Sequence, residues 1–171
     1  MRFAAWIATF LLLACLRAYE DPLVSAVRSG DVKAAKALLA SGEDPNRPFG
    51  VNDWPPLMHA VHKNQIKTAT VLLTYGADVD CGGPDGMTPL MMAAAYGNAD
   101  MVRLLLKHHA DLHLKTSEGS TALDYALTGL SDIDNFTMFS CMDETAKLLR
   151  GSEAQLESRL FARLKRCRQG T

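Results

Sequence analysis

Apolar residues in this chain return at a fixed interval. Leu23, Leu57, Leu90 and Leu123 head four similar segments spaced 34, 33 and 33 residues apart. The pairs Leu38-Leu39, Leu72-Leu73 and Leu105-Leu106 recur at the same spacing. They are followed by Ser41-Gly42-Glu43-Asp44, Tyr75-Gly76-Ala77-Asp78 and His108-His109-Ala110-Asp111. Self-similarity at such a period marks a repeat array, in which each unit carries an apolar face that only its neighbour covers. The third unit shows why it is built of two helices. Thr88 offers a hydroxyl oxygen to the orphan amides of a first helix, and Pro89 at the first helical position has no amide to satisfy. Small Ala93 and Ala94 let neighbouring helices approach, and Leu104 to Leu106 supply the apolar stripe of a second helix.

Departures from the pattern keep its local chemistry. Asp21-Pro22 stands where Thr88-Pro89 stands, with a carboxylate for the cap. Asn64 occupies the inter-helix position that Gly97 fills in the third unit, and Asn tolerates the left-handed region. His109 sits where Gly42 and Gly76 sit, a harder substitution costing on the order of 1 kcal/mol. Pro55 has no capping hydroxyl, so the second unit is expected to begin more weakly. In the fourth unit the Leu pair reappears as Leu148-Leu149, 43 residues after Leu105-Leu106. The extra residues fall within 129–143, between the two helices. Beyond them, Ser152-Glu153-Ala154-Gln155 has capping-box spacing, and Leu156, Leu160, Phe161 and Leu164 form one apolar face. A final helix that closes the stack is expected there.

The run from Asp85-Gly86-Met87-Thr88-Pro89-Leu90 through Ala93-Ala94-Ala95-Tyr96-Gly97-Asn98 to Ala110-Asp111 resembles the ankyrin repeat, and the resemblance covers residues 21–150. The usual His of the Thr-Pro-Leu-His tetrad is missing, with Val24, Met58, Met91 and Asp124 in its place. The resemblance implies an all-α solenoid of four helix-turn-helix repeats at about 21–52, 53–85, 86–118 and 119–150, with a capping helix and basic tail at 151–171. It also implies a protein-binding role, with partners on the hairpin tips and on exposed inner-helix positions of a concave side. Carried over by register, this marks Phe49, Val51, Asn52, Trp54, His62 and Lys63 around the second repeat. Around the third it marks Pro84, Asp85, Met87, Ala95 and Tyr96, and around the fourth Lys115, Glu118 and Ser120. Phe49, Trp54, Met87 and Tyr96 carry most weight, because aromatic residues are enriched among interface anchors. The competing reading has Phe49 and Trp54 folding back to close a long first hairpin.

Composition narrows the function. With 48% hydrophobic and 22% charged residues the chain is of globular type, and a formal net charge of −1 provides no global field for nucleic acid. The N-terminus reads separately. Arg2 followed by apolar Phe3 to Ala14 has the form of an export signal over residues 1–18. As a helix, Phe3 to Leu16 covers roughly 21 Å, short of the roughly 30 Å hydrocarbon core. Two cleavage sites compete: Leu12-Leu13-Ala14-Cys15 resembles a bacterial lipobox with Cys15 as the lipid attachment site, and cleavage after Ala18 would release a soluble chain. A third reading leaves the segment uncleaved. The expected setting is therefore exported, periplasmic or envelope-associated, in the manner of small exported bacterial ankyrin proteins. In an oxidising compartment Cys141 and Cys167 are a possible disulfide, with unpaired thiols as the alternative.

No catalytic signature appears in a suitable context, and Gly82-Gly83-Pro84-Asp85-Gly86 reads as a hairpin tip, so an enzyme is not expected. His59 and His62 fall on an inner helix, whereas His108, His109 and His113 cluster at an outer-helix end; neither group has zinc-site ligand spacing. Asp132, Asp134, Asn135 and Asp143 lack the pattern of a calcium loop. No metal and no cofactor are expected. Arg159, Arg163, Lys165, Arg166 and Arg168 make the tail basic, which suits either a solvated face or contact with anionic lipid. The sequence thus points to a monomer that binds a protein partner and no nucleic acid. The alternative is a membrane-tethered structural adaptor held by Cys15 and the basic C-terminal helix.

Overall fold

The computed structural model describes residues 21–50, 52–128 and 144–153. Among the described residues, helices follow one another as α1 (Pro22–Ser29), α2 (Val32–Ala40), α3 (Pro56–His62), α4 (Ile66–Thr74), α5 (Pro89–Ala95), α6 (Ala99–Lys107) and α7 (Ala122–Thr128). Residues 144–153 are helical as well. Each odd-numbered helix up to α5 packs on the even-numbered helix after it. The odd helices also stack on one another, α1 on α3, α3 on α5 and α5 on α7, while α2 packs on α4 and α4 on α6. Two rows of helices result, an inner odd row and an outer even row, as expected of the all-α repeat stack.

Burial follows the repeated leucines. Leu23, Leu57 and Leu90 on the inner row and Leu39, Leu72 and Leu105 on the outer row all lie in one core. A fully buried Leu contributes roughly 1.5–3 kcal/mol relative to an exposed one. No single helix of seven to nine residues holds its shape alone in water; the neighbouring repeat supplies the missing half of its contacts.

The helix starts behave as the side chains dictate. The Asp21 carboxylate accepts from the amides of Leu23 and Val24, and Thr88 Oγ1 accepts from Met91. Pro55 caps α3 with no side-chain hydrogen bond. In the fourth repeat, Asp124 Oδ2 accepts from the Thr121 amide at 2.8 Å and Thr121 Oγ1 accepts from the Asp124 amide at 3.3 Å. This reciprocal box gives Asp124 a function at the position where the ankyrin tetrad has His. Asn64 and His109 adopt the left-handed region at φ 51° and 67°. Recurring Asp residues tie successive repeats together: the Asp111 amide donates to Asp80 Oδ1, and the Asp78 amide donates to Asn46 Oδ1.

Two expectations change. Ser152 does not begin a helix; it lies inside the helical stretch 144–153, and its hydroxyl donates to the Leu148 carbonyl at 2.9 Å. Helix continues through this point because Leu149 is buried one turn earlier, so packing holds the turn that a capping reading would break. Ala95, marked as an exposed contact position, is fully buried, in a helix that packs extensively on α7. The insertion 129–143, residues 1–20, the tail, and with them Cys15, Cys141 and Cys167, lie outside the described residues. Among the described residues no helix is long and apolar enough to cross a membrane.

Candidate protein-binding face

The first long hairpin positions the site. Phe49 and Trp54 form an isolated antiparallel bridge, with the Phe49 amide donating to the Trp54 carbonyl at 3.1 Å. Both side chains are half-buried, and Trp54 packs against the edge of the core. The hairpin does fold back, and in doing so it sets the Trp54 indole over α3. The indole centroid lies 5.7 Å from that of the His59 ring and 5.5 Å from that of His62. His62 in turn meets Tyr96 edge-on at 5.6 Å, with His62 Nδ1 and the Tyr96 hydroxyl 3.0 Å apart. With the proton on Nε2, the Tyr96 O–H donates to Nδ1. His59 Nε2–H, one helical turn earlier, donates to the Phe49 carbonyl at 3.3 Å. Four rings from two repeats therefore form one continuous surface.

Burial sets the protonation of this surface. The His59 imidazole is held below its ordinary value by desolvation, reinforced by the nearby Arg28 charge and partly opposed by the Phe49 carbonyl. Desolvation, and then Lys63, push His62 in the same direction. Burial raises the Tyr96 phenol. Both imidazoles are neutral at neutral pH, so each keeps one N–H donor and one bare nitrogen.

Beside the ring cluster, between α1 and α3, lies an open groove of about 400 Å³. Asp21, Val24, Ser25, Arg28 and Ser29 line it from the first repeat, together with Phe49 and Lys63. Asp21 is paired with Arg47. Arg28 and Lys63 are exposed and make no ion pair among the described residues.

The remaining marked residues fall into a second group. Asp85 and Pro84 are exposed at the tip of the hairpin before α5, where the Asp85 carboxylate accepts from the Met87 amide at 3.2 Å and Met87 is half-buried. The Asp85 carbonyl accepts from the Ser117 amide at 2.9 Å, which joins this tip to the next one. Lys115 and Glu118 are exposed on that next tip, and Ser120 is half-buried. Asn52 is exposed at the first tip, and Val51 lies outside the described residues.

Two family models match the chain, one of ankyrin repeats in three copies over residues 6–82 and one of ankyrin repeats in many copies over residues 72–126. The chain belongs to the ankyrin-repeat family. Among curated proteins it is similar to the BTB/POZ domain and ankyrin repeat-containing proteins NBCL of Lotus japonicus and NOOT1 of Medicago truncatula, and to regulatory protein NPR5 of Arabidopsis thaliana. Each is 50% identical over 50 residues, covering 29% of this chain and 10% of the relative. The chain thus spans about a tenth of the length of the curated relatives it matches.

Within this ankyrin-repeat protein, sequence register missed His59 and Arg28 as members of the face. Arg28 was findable by stepping back 34 residues from His62 to the equivalent position of the first repeat. His59 reads in the sequence as an inner-helix histidine without zinc-site ligand spacing, and nothing in its register marks it as a contact; among the described residues, no group of three His, Cys, Asp or Glu side chains is arranged to hold a metal ion. Cys81 is a buried thiol pushed up to about 12, first by burial and then by Asp78 and Asp80, which makes it a poor nucleophile.

Proposed function

We propose that this ankyrin-repeat protein binds a protein partner through its inner-helix face, with Trp54, His62 and Tyr96 as the anchoring group and Phe49, Lys63 and the hairpin tips around it. Ankyrin repeats are protein-interaction modules, and no catalytic family is indicated. The observation that carries the reading is the ring cluster itself. Trp54, His62 and Tyr96 span two repeats at 5.5–5.6 Å centroid spacing while remaining partly open to solvent. Amphipathic rings of this kind combine large contact area with few rotatable bonds, which favours them as anchors. A face held rigid by the stacked helices needs little ordering on binding.

The test is a crosslinking pull-down from the native host that compares the wild type with the Trp54→Ala, Tyr96→Ala double variant, with helical content of both checked by circular dichroism. A partner lost only from the folded double variant is the expected result. Equal recovery by both versions removes the ring cluster from the interface.

We further propose that this takes place outside the cytoplasm, on the support of the Arg2 and Phe3–Ala14 pattern. Mass spectrometry of the native protein, with fractionation, tests it. An N-terminus at Tyr19 in the soluble fraction fits a freely exported binder, and an acylated Cys15 in the membrane fraction fits the tethered form. An intact Met1 in the cytoplasm removes both.

A further inference from the structure

The groove between α1 and α3 has a chemistry that the ring cluster does not explain. We infer that it takes an acidic peptide segment of the partner, whose carboxylates lie between Arg28 and Lys63. This rests on the reading of the inner-helix face as the binding face and adds what that face selects. Among the described residues, Asp21 is the only acid lining the groove, and its charge is already matched by Arg47 while its other oxygen caps α1. Arg28 and Lys63 are left as two exposed cations lining the groove with no ion pair among the described residues. The chain as a whole carries a formal charge of −1, so this excess of positive charge is a local property of the groove. A guanidinium presents a planar fork that matches a carboxylate, and an ammonium supplies a second, rotatable donor.

The groove is also continuous with the rings. Phe49 lines it, the Phe49 carbonyl accepts from His59, and His59 meets Trp54. A segment with its carboxylates on Arg28 and Lys63 therefore runs on toward an aromatic wall, which suits an acidic stretch that also carries an apolar side chain. Other polyanions fit less well. Membrane surfaces are recognised by clusters of about four to eight basic residues, and nucleic acid by runs of phosphate contacts, whereas among the described residues two cations without an ion pair line this groove.

The experiment is fluorescence anisotropy on the full chain, using a short fluorescein-labelled peptide of glutamates around a central Leu-Phe pair. The same peptide with Gln for Glu is the control. Expected are binding of the Glu peptide, at least about tenfold weaker binding of the Gln peptide, and weakening as salt is raised. Arg28→Ala with Lys63→Ala should lower affinity for the Glu peptide about tenfold with an unchanged melting temperature. Arg28→Gln with Lys63→Gln repeats the test with longer side chains should the alanine variant lose stability. No binding of the Glu peptide, equal binding of the Gln peptide, or an unchanged affinity in the folded double variant overturns the inference. So does binding of phosphatidylserine vesicles or oligothymidine that displaces the peptide and depends on both cations. In the host pull-down, a partner lost with Trp54 and Tyr96 but retained without Arg28 and Lys63 sinks this inference and leaves the face intact. A partner insensitive to all four sinks the face itself.

Discussion

Repeats two and three share a register and differ in what their inner helices present. All seven residues of α5 are buried, and Thr88 caps its first turn. α3 begins at Pro55 with no side-chain cap, and His59 and His62 occupy the positions where α5 has Met92 and Ala95. The third repeat is given over to cohesion: α5 packs more extensively on α7 than α3 packs on either inner-row neighbour, and every residue of α5 is buried. The second forgoes a cap and two apolar positions, and it is the repeat on which the rings gather. One scaffold can thus assign adhesion and recognition to adjacent copies, because each inner helix needs only part of its circumference to hold the stack.

That division can be tested, beginning with the largest effect. Leu90→Ala should cost about 3 kcal/mol, read as a lower urea midpoint, because Leu90 is fully buried at the centre of the stack. A loss below about 1 kcal/mol would show that the third repeat is not the cohesive one. The caps give a smaller, paired contrast. Thr88→Ala should destabilise by about 1 kcal/mol, and Pro55→Thr should stabilise by about 0.5 kcal/mol, the new cap outweighing the lost stiffness of proline. Thermal melts of the two variants should move in opposite directions; movement in the same direction would mean that α3 is not limited by its missing cap.

The smallest effect is on pH. Folding lowers the pKa of His59 and His62 from the ordinary 6.5, so the unfolded chain takes up protons first as the medium is acidified. The stability they contribute is complete above pH 6.5 and declines as pH falls through the window between that value and their lowered folded values. Replacing both with Gln should flatten the urea midpoint across that window. A slope unchanged by the substitution would place the titration elsewhere.

Much of this was legible from spacing. The four-fold leucine register, the caps at Asp21 and Thr88, the left-handed Asn64 and His109, and the uncapped start at Pro55 are local matters, and the chain shows them residue by residue. Trp54 and Tyr96 were marked as contacts by register alone, 42 residues apart in the chain. Their joining through His62 depends on how the first hairpin folds back, which no local pattern encodes. Ala95 was misjudged because its register position is exposed in α3, where it is His62, but closed in α5. Ser152 was misjudged because a capping-box spacing inside a helix looks the same as one at its start. Asp124 reads in the sequence only as a departure from the ankyrin tetrad, and its reciprocal hydrogen bonds with Thr121 make it part of a cap.

By itself, then, the sequence determined the repeat, its two-helix unit, the side of each helix that must be buried and the chemistry at each helix start, because propensity, capping and apolar period act over a few residues. Tertiary structure alone decided which exposed residues share a surface. Trp54 reaches both histidines, His62 reaches Tyr96 of the next repeat, and Arg28 and Lys63 line one groove. The last two join residues about one repeat apart in the chain and exist only once the helices have stacked, and the first exists only once the hairpin has folded back.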